Sequence, residues 1–235
     1  MRNLVAAATL LLALLPATLQ AQHQFSTYHR QRESLFRLLP AGRNDIIFMG
    51  NSITNGCEWS ELFGNRHIKN RGISGDVAEG ILNRIDDVTA GRPAQIFLMI
   101  GTNDLAEGVP VDSVVSRTGR VLAKIRKASP KTLVYLQSVL PVTPHYGKFP
   151  GHTSRADSIV ELNRRLKALA DETATMYIDL HTPLTDPGTG LLDIRYTNDG
   201  LHLTGAGDMV WKEQAAPFVG ESRAAYARRL KRQTK

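Results

Sequence analysis

The feature that most constrains this chain is the regular alternation of short apolar runs with segments of helical period. The runs lie at 45–49 (DIIFM), 95–100 (QIFLMI), 132–139 (TLVYLQSV) and 175–180 (TMYIDL), with a weaker one at 67–70 (HIKN). Their length and continuous apolar character predict buried strands. Between them, Val115, Thr118, Leu122 and Ile125 recur at three- and four-residue steps within 112–128, with Asp112 placed as a cap. Ile159, Leu162, Leu166 and Leu169 do the same within 155–171, behind Ser154. The segments 26–39, 76–89 and 205–216 also read as helices, the last capped by Thr204. Strands alternating with helices imply parallel pairing and a sheet covered on both faces, so the expected fold is a three-layer α/β/α domain. In such sheets ligands sit at the carboxyl ends of the strands. Residues that directly follow an apolar run are therefore where chemistry belongs.

The N-terminus stands apart from this pattern. MRNLVAAATLLLALLPATLQAQ has one early arginine, an apolar stretch from Leu4 to Leu15, then small and polar residues around Ala21. That is the layout of a secretory signal and is short for a membrane span. Residues 1–21 are expected to be an export signal removed before Gln22, with an uncleaved anchor as the alternative. Export implies a periplasmic or extracellular protein with no stable membrane insertion once the signal is gone. Cys57 is the only cysteine, so no internal disulfide is available and the fold depends on its core. Residues 22–220 suffice for one domain with a full core.

A formal net charge of +7 suggests nucleic acid until the charge is located. Much of it lies in 221–235, where Arg223, Arg228, Arg229, Lys231, Arg232 and Lys235 face Glu221 alone. The rest of the chain is close to neutral. We read 221–235 as a solvated basic tail and expect no nucleic-acid partner.

Four segments carry residues suited to ester hydrolysis: GNSIT at 50–54, RGISGD at 71–76, IGTND at 100–104 and DGLHLTGAG at 199–207. That reaction needs a nucleophile, a base for its proton and donors for the developing oxyanion. Ser52 supplies a hydroxyl just past the first strong run. His202 supplies an imidazole, a group that titrates near neutral pH, and Asp199 lies three residues earlier, one tight turn away. Gly75 has no side chain to keep its amide from a substrate oxygen, and Asn103 offers an NH₂ donor. Taken singly each signal is weak, since a serine after a strand is commonly a turn or cap residue. Ser74 is the rival nucleophile, but no G-x-S-x-G elbow surrounds either serine, and Ser74 is expected to shape its loop. His145, His152 and His181 compete with His202 as base, yet only His202 has an acid one turn upstream. Asp104 reads as structural and Cys57 as a small buried residue.

Together the four segments resemble the four sequence blocks of the SGNH hydrolases, the GDSL esterase and lipase family, over 46 to about 207. The resemblance implies a flavodoxin-like, five-stranded parallel sheet, with Ser52 as nucleophile and Asp199 and His202 completing the triad. It also implies an oxyanion hole made by the amides of Ser52 and Gly75 with Asn103. Many members have aspartate before the serine where this chain has Asn51; that acid is outside the triad, so only a local hydrogen bond is affected. The GNSIT and GISGD forms look most like the branch that holds platelet-activating-factor acetylhydrolase subunits and bacterial carbohydrate acetylesterases.

The expected activity is hydrolysis of short O-acyl esters, acetyl above all, on a carbohydrate such as sialic acid or a plant or host glycan. A lysophospholipase or acyl thioesterase of the same family is the first alternative. Only 6% of residues are aromatic and no long apolar lid is evident, which tilts toward short acyl groups. A catalytically silent glycan-binding module is the second, opposed by five intact catalytic positions. The loop PVTPHYGKFPGHTS at 141–154 leaves a strand at the same sheet edge, making His145, Tyr146 and Phe149 candidates for the leaving-group side, against a solvated loop as the other reading. With no H-E-x-x-H, no paired C-x-x-C and no phosphate loop, neither metal nor cofactor is expected.

Overall fold

A computed structural model describes residues 24–234. The expected export signal at 1–21 lies outside the described residues. The apolar runs become β1 (Ile46–Gly50), β2 (Ile68–Gly72), β3 (Gln95–Met99), β4 (Leu133–Gln137) and β5 (Met176–Ile178). They pair entirely in parallel, in the order β2-β1-β3-β4-β5. The helices are α1 (Thr27–Leu38), α2 (Ser52–Asn55), α3 (Trp59–Leu62), α4 (Ala78–Thr89), α5 (Thr102–Ala106) and α6 (Val111–Ala128). They continue with α7 (Pro150–Thr153), α8 (Ala156–Glu172), α9 (His181–Leu184), α10 (Gly205–Ala215) and α11 (Arg223–Gln233). Among the described residues no helix is long and apolar enough to cross a membrane.

Strand order and the right-handed crossover rule account for the layers. The steps β2→β3, β3→β4 and β4→β5 all advance in one direction, which sends α4, α6 and α8 to one face. The step β1→β2 runs the other way, so α3 falls on the opposite face. The reversal lies at β1, and a crevice opens there between the loops leaving β1 and β3. This is the sheet edge to which Ser52 and Asn103 belong.

The α3 face is built from aromatic rings. Phe48, Phe97 and Tyr135 are register partners across β1, β3 and β4, with ring centroids 4.8 and 4.4 Å apart. Trp59 stacks on Phe48 at 4.3 Å, and Trp211 of α10 meets Trp59 edge-on at 4.7 Å. Rings of this size bury about 150–250 Å² each, so this layer supplies a large part of the hydrophobic stabilisation. The buried Tyr135 hydroxyl is satisfied by Gln95 Nε2 at 3.0 Å and Glu221 at 2.8 Å. On the other face, Ile81 and Ile85 of α4 and Val121 and Ile125 of α6 are fully buried aliphatics.

Several boundaries differ from expectation. The helix expected to start at Asp112 starts earlier, with Pro110 at the cap position. The proline ring holds φ near −59° and its carbonyl accepts the amides of Ser113 and Val114, so Asp112 falls inside the first turn and pairs with Arg165 at 2.8 Å. Ser154 does not start α8: Pro150 opens the separate turn α7, Ser154 ends it, and α8 begins at Ala156. Thr204 does occupy the cap of α10, but its side chain makes no capping bond.

The segment expected as a solvated tail is instead largely α11, laid against the sheet. Tyr226 donates to Val134 O at 3.0 Å and accepts Met176 N at 3.1 Å, while Gln233 Oε1 accepts Tyr177 N at 2.8 Å. Its basic residues are exposed, although Arg223 and Arg229 still donate to Lys131 O and Pro217 O.

Candidate active site

Ser52 owes its position to the abrupt end of β1. Asn51, almost wholly buried, caps α2 by accepting Ile53 N on its Oδ1 at 3.0 Å. An amide oxygen serves for this contact as a carboxylate would, which answers what Asn51 does in place of aspartate. Ser52 is the first helical residue, so its amide is among the donors a helix leaves without an internal partner. The far end of this four-residue helix is held from outside. Trp59 Nε1 donates to Thr54 O at 2.8 Å, and Asn70 Nδ2 lies 3.0, 3.1 and 2.9 Å from the carbonyls of Thr54, Asn55 and Cys57.

The candidate base comes from the turn between Thr197 and His202. Thr197 Oγ1 accepts Gly200 N at 2.9 Å, and Gly200 adopts φ +88°. A Cβ at Gly200 would lie 2.1 Å from Thr143 O, so both conformation and space require glycine. Asp199 Oδ1 accepts the amides of Leu201 and His202, each at 2.8 Å. Its Oδ2 lies 2.7 Å from His202 Nδ1, and His202 Nε2 lies 2.9 Å from Ser52 Oγ. Burial alone would raise the Asp199 carboxyl, but the two amides and His202 together hold it below the ordinary carboxylate range. An ionised carboxylate only accepts, so the imidazole proton belongs on Nδ1. Nε2 then presents its lone pair to the Ser52 hydroxyl.

The loops leaving β2 and β3 carry the candidate oxyanion donors. Gly75 has φ +77°, and a Cβ built there would meet nothing within 4 Å, so its surroundings are open and its backbone favours glycine. Among the described residues its amide has no acceptor. Asn103, 7% exposed, donates from Nδ2 to Asp76 O at 2.8 Å, and its Oδ1 lies 2.9 Å from His152 Nε2. The second Nδ2 hydrogen remains unused. Asp76 fixes the loop between β2 and α4: Arg84 Nε and His29 Nε2 reach its carboxylate at 2.9 and 3.1 Å, and all three side chains are buried. Asp104 accepts Ala78 N at 2.9 Å, tying the loop after β3 to the start of α4. Burial pushes its carboxyl up to about 6, against the lowering effects of Ala78 N and Arg117.

The remaining candidates sort themselves by contact. Ser74 donates to Asn55 Oδ1 at 3.2 Å, a loop-shaping bond. Cys57 is 5% exposed, with its thiol pushed up to about 12 by burial. Of the three residues expected on the leaving-group side, Phe149 meets the triad: its ring lies edge-on to His202 with centroids 5.3 Å apart. Tyr146 instead spends its hydroxyl on Thr197 O at 3.0 Å, bracing the turn that carries Asp199. His145 packs edge-on against Tyr146. Asn70 and Thr197 carry no sequence signal for this site, and His152 enters the sequence reading only as a rival base. Their partners lie in other loops and no local spacing reveals them, although His152 shares the loop that carries Phe149.

A hydroxyl facing an imidazole lone pair, with amides at Ser52 and Gly75 unpartnered among the described residues and an unused N–H on Asn103, suits acyl transfer to serine and then to water. A separate open cleft of about 800 Å³ lies at the amino ends of β1, β3 and β4 and contains none of these groups. Its walls include Lys127 and the end of α6, where a cation complements the helix dipole.

The model of the GDSL-like lipase/acylhydrolase family matches residues 48–210. Platelet-activating factor acetylhydrolase IB subunit alpha1 of Rattus norvegicus is 25% identical over 173 residues, covering 69% of this chain and 69% of its own. The crystal structure of a GDSL-like lipase from Bacteroides thetaiotaomicron superposes with a TM-score of 0.69 at 28% identity, over 80% of this chain and 95% of that one. An acetylxylan esterase from Geobacillus stearothermophilus shares the fold, with a TM-score of 0.62 at 19% identity over 77% and 97%.

Proposed function

The chain belongs to the GDSL-like lipase/acylhydrolase family of ester hydrolases, and from that premise we propose that it is an exported esterase removing short acyl groups, acetyl above all, from carbohydrate. The observation that carries the chemistry is the continuous relay from Asp199 through His202 to Ser52, at 2.7 and 2.9 Å. Ser52 Oγ attacks the ester carbonyl carbon while His202 Nε2 takes the hydroxyl proton. The carbonyl π electrons move to oxygen, and the resulting oxyanion is met by the amides of Ser52 and Gly75 and the free N–H of Asn103. Collapse expels the alcohol, which takes the proton back from His202 and leaves an acyl group on Ser52. Water repeats the sequence, with His202 again as base, and releases the acid. Asp199 stays ionised throughout, orienting the ring and stabilising the imidazolium.

Two features support the substrate class. The rat relative is an acetylhydrolase by name, consistent with a short acyl group. Phe149 is 42% exposed and its ring lies edge-on to His202, so an exposed aromatic ring beside the site is available to pack against a sugar. Export rests on the apolar N-terminal segment at 1–21. The test is a panel of p-nitrophenyl esters from C2 to C12, followed by acetylated glycans. We expect kcat/KM to be highest at C2 and acetate to be released from glycan. A kcat/KM that climbs steadily to C12 would move the protein to a lipase or thioesterase role with the serine chemistry untouched.

A further inference from the structure

The side-chain donor of the oxyanion hole is held at two points, and the second comes from a residue that the mechanism above does not use. Asn103 Nδ2 lies 2.8 Å from Asp76 O, a carbonyl that can only accept. The amide is therefore turned with its nitrogen toward Asp76 and its oxygen toward His152. That oxygen also only accepts, so the proton on the His152 ring sits on Nε2, and the contact at 2.9 Å is an Nε2–H donation to Asn103 Oδ1.

His152 reaches this point from α7, on the far side of β4 in sequence. Phe149, just before α7, is in the left-handed region at φ 50° and ψ 50°, a costly conformation for a bulky residue. The turn is over-determined by its own bonds: the amides of His152 and Thr153 return to Phe149 O at 2.8 and 2.9 Å, and Thr153 Oγ1 does so at 3.2 Å. One strained turn thus sets Phe149 against His202 and His152 against Asn103. Burial, and after it the nearby His202, lowers the His152 pKa below the usual imidazole range, which keeps the ring in the neutral, singly protonated form that this pattern requires.

The other two oxyanion donors are backbone amides fixed by their loops. Asn103 is different, because its terminal amide rotates about a soft torsion. We infer that His152 is a positioning residue for the oxyanion hole, locking the Asn103 amide so that its unused N–H stays available to the developing negative charge. This rests on the oxyanion role proposed for Asn103.

The test compares three replacements of His152, with kcat referred to enzyme titrated by a fluorophosphonate so that only folded sites count. His152→Ala and His152→Phe remove the donor, Phe keeping a ring in place, whereas His152→Gln restores an N–H. We expect kcat to fall about 10- to 100-fold in the Ala and Phe variants with KM within about twofold, and the Gln variant to recover most of it. In an Asn103→Ala background, His152→Phe should change kcat less than about twofold, because the residue it positions is already gone. A His152→Phe enzyme with full kcat, or one whose loss is as large in the Asn103→Ala background, would overturn the inference. Ser52→Ala separates the two levels: full activity in that variant would sink the proposed function itself. Loss there beside a fully active His152→Phe would sink the positioning role alone.

Discussion

His202 Nε2 and Ser52 Oγ lie 2.9 Å apart although 150 residues separate them in the chain. The contact exists because β1 delivers Ser52 to the carboxyl edge of the sheet, and the Thr197–His202 turn is bonded tightly enough to hold the ring over it. Asp199 serves this turn twice, once through two backbone amides and once through the imidazole.

Loss of either partner should therefore abolish most of the rate. His202→Ala removes the base and should be nearly inactive at neutral pH. Asp199→Asn leaves an amide that no longer selects the Nδ1–H tautomer, and kcat should fall by about 10³–10⁴-fold. Steady-state kinetics on p-nitrophenyl acetate checks both. A His202→Ala enzyme retaining most of its kcat would remove that residue as base.

Asn103→Ala should lower kcat by about 10²–10³-fold, the usual effect of deleting one oxyanion donor. KM should change little, since the N–H is aimed at charge that develops in the transition state. The same kinetics decides this, and an unchanged kcat would take Asn103 out of the oxyanion hole.

The placement of the candidate site residues was legible in sequence for a physical reason. Ser52 and Asn103 follow uninterrupted apolar runs, which mark buried strands, and Asp199 and His202 sit within one tight turn. The helix starts were less legible. Pro110 and Pro150 open turns through their fixed φ, and that effect outweighed the capping residues Asp112 and Ser154. The docking of α11 was hidden by charge: Tyr226, Leu230 and Gln233 follow a helical spacing, but the arginines and lysines between them dominate the composition. The Asn103–His152 bond was illegible because its two ends lie 49 residues apart in different loops.

Asp104 gives a pH signature in stability. Its folded-state value, pushed up to about 6 by burial, lies above the ordinary value of 3.8. The folded state therefore binds the proton more tightly, and this contribution is full below about 4 and lost as pH rises through about 6. Asp104→Asn cannot ionise. Relative to wild type it should gain on the order of 1–3 kcal/mol between pH 4 and 7, read from urea midpoints at each pH. A stability difference that does not vary with pH would contradict the raised value.

Trp59 links the core to the site by stacking on Phe48 and donating to Thr54 O at 2.8 Å, under the turn that holds Ser52. Trp59→Ala should destabilise the fold by about 3–5 kcal/mol, measured by guanidinium unfolding. Trp59→Phe keeps a ring but not the N–H, and should lower kcat more than its smaller loss of stability would suggest. Equal kcat in Trp59→Phe and wild type would confine Trp59 to the core.

If Ser52 is acylated during turnover, covalent trapping should mark that residue and no other. The enzyme is treated with a fluorophosphonate, digested, and the modified peptide sequenced by mass spectrometry. The adduct should lie on Ser52 alone, and Ser52→Ala should remain folded but unlabelled. An adduct on Ser74, or undiminished labelling of Ser52→Ala, would contradict acylation at Ser52.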